Sequence, residues 1–175
     1  MRRKPRVKGN ANKLIIAGII AAIAVSIAYG AVSGSFSSLT APAAPHNEPI
    51  IMHIHPKIKI MMDGKSISMP ENIGINSALY KSHALDTYGM KNPRMSPLHT
   101  HDSSGVIHVE STAMRDYTLG EFFDVWGVTF SETCVMDKCN DGMNKIRMYV
   151  DGKESFDFGQ HILSDGEEIV IEYGK

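Results

Sequence analysis

Residues 57–65 read KIKIMMDGK and residues 145–153 read KIRMYVDGK. Each alternates apolar and polar side chains, the period of a strand with one buried face, and each ends in Asp-Gly. That dipeptide marks a tight hairpin turn, whose central residues need positive φ. Both stretches therefore predict an outgoing strand, SISMP in the first copy and ESFDF in the second. Each copy later reaches a further strand ending in an acidic residue, GVIHVE at 105–110 and EIVIE at 168–172. The expectation is a duplicated unit, a hairpin plus a return strand.

Between the copies, TLGEFFDVWG at 118–127 predicts a helix. Thr118 is placed to cap it and Glu121 to complete a capping box, while Leu119, Phe122, Phe123 and Trp126 form an apolar stripe at helical spacing. The stripe is read as core. Strand, helix, hairpin and a last strand preceded by LSDGEE resemble the β-grasp arrangement. The fold class expected is α+β, a mostly antiparallel sheet with one packed helix. Residues 71–97 are an insertion with no counterpart in the second copy, punctuated by Gly, Asn and Pro; they predict a long loop with one helical turn near Ala78–Lys81.

The first fifty residues have a different character. Arg2, Arg3, Lys4, Arg6, Lys8 and Lys13 form a basic tail, 1–13, ahead of the uncharged run LIIAGIIAAIAVSIAYGAV at 14–32. As a helix that run spans roughly 30 Å, the thickness of a bilayer core. Cations on its N-terminal side predict a cytoplasmic tail and an extracytoplasmic remainder. A cleaved signal peptide is the alternative, with Ala28, Gly30 and Ala31 as small residues at a cleavage site. Residues 33–49, SGSFSSLTAPAAPHNEP, read as a linker, which leaves 50–175 as one extracytoplasmic domain. Six of the 18 basic residues precede Leu14, leaving 12 against 19 acidic groups, a formal −7. Such a domain repels nucleic acid and concentrates cations. Cys134 and Cys139, in TCVMDKCN, predict a disulfide closing a short loop in an oxidising compartment, with a thiolate metal pair as the alternative.

Histidine is distributed unevenly. In MHIHPKIKI, alternation places His53 and His55 with the lysines on an outward face, opposite the isoleucines. In PLHTHDSSGVIHVE, 97–110, His99 and His101 repeat the i, i+2 spacing, DSSG turns the chain, and His108 shares a face with Glu110. Counting back from the second Asp-Gly-Lys, the positions equivalent to His53 and His55 are Asp141 and Met143, so the duplicated architecture does not require these histidines. A metal site is expected, with His53, His55, His99, His101 and His108 as ligands and with Asp102 and Glu110 orienting imidazoles as hydrogen-bond acceptors. Imidazole suits copper, zinc, iron and nickel. Methionines nearby, Met52, Met90 and Met95, tilt the expectation to copper, thioether being a soft ligand.

The combination HxHPKxxIxxDGKxxxxPxxIGI, PLHTHDSSGVIHVE and YTLGEFFDVWG resembles a family of membrane-anchored, His-rich extracytoplasmic domains of archaea, ammonia oxidisers among them, and of some bacteria. The resemblance covers nearly the whole exterior domain. It implies that His53, His55, His99, His101, Asp102 and His108 form one site, and it implies no reaction. HTHD departs from the H-x-H-x-D of metallo-β-lactamase-type hydrolases, because Asp102 follows at once and the next histidine is missing. Amidohydrolase barrels need a chain of about 250 residues. No nucleophile with a partnered base is visible, and Ser103 and Ser104 read as turn residues. A protein for handling or delivering metal at the outer membrane face is therefore expected ahead of a metal-dependent oxidase or hydrolase, which would require an open coordination position and a pocket. The alternative is an interaction module docking on a membrane protein complex.

Overall fold

A computed structural model describes residues 48–175. The basic tail, the apolar run 14–32 and the linker up to residue 47 lie outside the described residues. Among the described residues no helix is long and apolar enough to cross a membrane.

The strands in chain order are β1 (Met52–Ile54), β2 (Lys57–Met62), β3 (Lys65–Ile67), β4 (Met90–Lys91), β5 (Arg94–Met95), β6 (Leu98–His99) and β7 (His108–Ser111). After the helix α1 (Leu119–Trp126) come β8 (Cys134–Val135), β9 (Lys138–Cys139), β10 (Lys145–Val150), β11 (Lys153–Ser155) and β12 (Glu168–Gly174). The Asp-Gly turns form as expected: Asp63 and Gly64 sit at φ 49° and 76°, Asp151 and Gly152 at 50° and 75°, the left-handed pair of a type I′ turn.

The main sheet has five strands in the order β11-β10-β12-β2-β3. β12 occupies the centre, antiparallel to β10 and parallel to β2. Its Ile169 and Ile171 sit beside Ile58 and Ile60 of β2, and all four are buried. α1 covers this apolar surface. Thr118 Oγ1 accepts the Glu121 N–H, the Glu121 carboxylate accepts the Thr118 N–H, and Gly127 ends the helix in the left-handed region at φ 78°. Leu119, Phe122, Phe123, Val125 and Trp126 are buried in one core with the central strands. The class is α+β with mostly antiparallel pairing.

Three expectations are corrected. The duplication stops at the hairpins: β12 joins both of them, whereas the first copy's return strand, β7, belongs to a separate three-stranded sheet in the order β1-β7-β6. Residues 141–143, equivalent to the histidine segment, form a turn in which Asp141 Oδ1 accepts the N–H groups of Met143 and Asn144. Nor is MHIHPKIKI one strand. Proline cannot donate to a ladder; at the buried Pro56 the chain leaves the small sheet and enters the large one. The insertion is more ordered than a loop. It holds short 3₁₀ turns at Ser77–Leu79 and Asp86–Tyr88 and the β4–β5 hairpin. Cys134 and Cys139 face each other across β8 and β9 and are joined by a disulfide.

Candidate metal centre

The small sheet assembles the histidines. β7 is its middle strand, pairing His53 with Glu110 on one side and His99 with His108 on the other. Side chains directly opposite on neighbouring strands are in reach of each other, so pairing alone stacks His99 on His108, ring centroids 5.5 Å apart. The chain reaches β7 through Gly105, at φ 85°, where a Cβ would lie 2.2 Å from the Ile58 carbonyl oxygen. A backbone hydrogen bond from the Ile58 N–H to the Gly105 carbonyl, 2.8 Å, fixes that crossing.

β6 is clamped from its other side by the insertion. The Ile73 N–H donates to Thr100 Oγ1, the Thr100 hydroxyl donates to the Pro70 carbonyl, and the Thr100 N–H donates to the Ile73 carbonyl. His99 is thereby only 1 % exposed. Its Nδ1 lies 2.9 Å from the Ser96 carbonyl oxygen, an acceptor, so Nδ1 carries the proton and Nε2 presents its lone pair. That Nε2 is 3.2 Å from Nε2 of His101. Burial pushes the His99 imidazole down to about 4, against the opposing pull of the Ser96 carbonyl, and keeps it neutral near pH 7. Burial, followed by the neighbouring His101 and His55, also lowers His108.

His99, His101, His108 and Glu110 place ligand atoms within 4.8 Å of one another, a group that could hold a metal ion, and His53, His55 and His108 form a second such group. Glu110 Oε1 stands 3.1 Å from His53 Nε2 and 3.7 Å from His108 Nδ1. His108 Nδ1 is buried and has no hydrogen-bond partner. An orphaned buried nitrogen among four other imidazoles is the state expected of a ligand atom, since leaving it unsatisfied costs about 1–3 kcal/mol.

All five histidines singled out in the sequence are thus brought together, and Glu110 with them. Asp102 is placed differently. Its carboxylate accepts the Ser104 N–H at 2.8 Å, and the bonds to Ser104 hold its pKa below the usual value; it shapes the turn between His101 and His108 instead of accepting from an imidazole. Asp165 escaped the sequence reading. Its Oδ1 accepts the His55 backbone N–H at 2.8 Å and lies 3.8 Å from His55 Nδ1. The only signal was its position in LSDGEE, more than a hundred residues away. The other histidines described serve different ends. His161 pairs with buried Glu167 at 3.0 Å, a packing pair under the N-terminus of α1, and His83 joins Tyr80 and Arg94 around Asp86. Met52 packs against the core and Met90 pairs with Met95 across β4–β5. Comparison with protein-family models, with curated proteins and with solved structures finds no match.

Proposed function

We propose that this is a membrane-anchored, extracytoplasmic protein that binds a transition metal, copper ahead of zinc, for handling or delivery at the outer membrane face. One observation carries the reading: five imidazoles from three separate segments converge around His108, and His99 is locked by Ser96 with its free nitrogen aimed at the cluster. Nitrogen-rich sites rank cupric copper above the other divalent first-row ions, so copper leads without help from methionine. The half-exposed His53 and His55 leave the centre open to solvent, as exchange with a donor or acceptor requires. The uncharged run 14–32 and its basic flank support the anchor and its orientation. Hairpin, helix, hairpin and a central closing strand parallel to the first support a β-grasp-like fold.

The full-length chain purified in detergent without added metal, then titrated with cupric and zinc ions, tests the proposal. Wild type should bind with an affinity that His101→Ala combined with His53→Ala and His55→Ala lowers by at least tenfold. Equal binding by both proteins would overturn the metal reading and favour a docking module, whose histidines would instead contact a partner.

A further inference from the structure

We infer that the centre is built for two metal ions that share His108, an inference that rests on the metal-binding proposal above. The five imidazoles do not form a single group: His99, His101 and Glu110 gather with His108 in one, His53 and His55 gather with His108 in the other. His108 is the residue common to both, its ring centroid 4.6 Å from that of His101 and 4.8 Å from that of His55. An imidazole has two ring nitrogens. Ligating one ion through each requires the ring to give up its remaining N–H proton to solvent, leaving an imidazolate between the ions. Nδ1 is already free of any hydrogen bond that would hold a proton there. Carboxylates flank both halves as well. Glu110 belongs to the inner group while its Oε1 also stands 3.1 Å from His53 Nε2, and Asp165 lies 3.8 Å from His55 Nδ1 beside the outer group.

The halves differ in access. His99 is sealed from solvent, whereas the side chains of His53 and His55 are 53 % and 42 % exposed. The inner ion is accordingly the retained one and the outer ion the exchangeable one.

The experiment is metal content together with electron paramagnetic resonance of the full-length chain saturated with cupric ion. Wild type should hold two ions per chain, with a signal well below the spin count of its bound copper, because two cupric centres on one imidazolate couple. His53→Ala/His55→Ala alters exposed side chains and should hold one ion with full signal. His108→Ala should abolish the coupled behaviour. Saturation of wild type at one ion, or two ions with uncoupled signals in wild type, would overturn the inference while leaving the metal-binding proposal standing. Binding of no ion would remove both.

Discussion

His99 and His53 occupy equivalent places in two His-x-His pairs, yet their energetics differ. His53 is on an exposed strand face, and replacing it with His55 by alanine should change the stability of the metal-free protein by no more than about 0.5 kcal/mol, as measured by urea titration. His99→Ala removes a buried ring and orphans the carbonyl of buried Ser96, which alone costs about 1–3 kcal/mol. Its titration gives a pH signature. The unfolded chain protonates this imidazole near 6.5 and the folded one near 4, so the unfolded state binds more protons between those values. Stability contributed by neutral His99 is therefore complete above about 6.5 and is lost as pH falls towards 4, a difference on the order of 3 kcal/mol. Denaturant titrations of metal-free protein at pH 7 and 4.5 should show a larger loss for wild type than for His99→Gln; equal losses would reject the assignment. Period-two alternation sufficed to place His53, His55, His108 and Glu110 on polar faces. It did not disclose the burial of His99, because the cover comes from Ile73 and Thr100, a pairing across the insertion that no local pattern encodes.

At the level of elements, legibility followed locality. The helix and both Asp-Gly turns are set by residues adjacent in sequence, and each was readable with its cap or its positive-φ pair. Phe122 is fully buried, and its truncation to alanine should cost about 3–5 kcal/mol in denaturant titration; a loss below 1 kcal/mol would contradict the packing described. The division of MHIHPKIKI between two sheets was not readable in the same way, since β1 and β2 keep one alternation across Pro56. What separates them is the segment at Gly105, which crosses β2 at Ile58 and then pairs with β1. Gly105→Ala would set a methyl group 2.2 Å from the Ile58 oxygen at a φ of 85°, forcing the chain to shift where it enters β7. The expected outcome is a destabilised protein whose residual metal affinity is also reduced, because His108 is delivered by that strand. Reduced stability with unchanged affinity would show that the site tolerates the shift.

For the whole molecule, the two hairpins share one strand from the C-terminal end, and the histidine sheet is a separate layer of pairing that ends with the short strand β1. The parallel union of β12 with β2 joins residues more than a hundred apart in sequence, so a reader of local repeats assigns a return strand to each hairpin when only one serves both. β1 is held differently. Its three residues pair with β7 alone, helped by the Ile51 N–H donating to Ser111 and the His55 N–H donating to Asp165. Its short pairing, at the edge of the sheet and with His53 half-exposed, makes it a low-stability segment, one that opens more readily than the core strands. Metal bound through His53 and His55 binds only the closed state of this segment. By linkage it should stabilise that state by RT ln(1 + [L]/Kd), about 2.7 kcal/mol at a hundredfold excess over Kd, which is roughly a hundredfold slowing of local opening. Hydrogen exchange followed by mass spectrometry should therefore show residues 51–55 slowed when cupric ion is added, and α1 and β12, where exchange waits on global unfolding, slowed by a similar factor because unfolding also releases the ion. The same addition to His53→Ala/His55→Ala should leave 51–55 unslowed. Slowing of α1 and β12 in wild type with 51–55 unslowed would mean that the ion sits wholly on His99, His101 and His108 and that β1 takes no part in holding it.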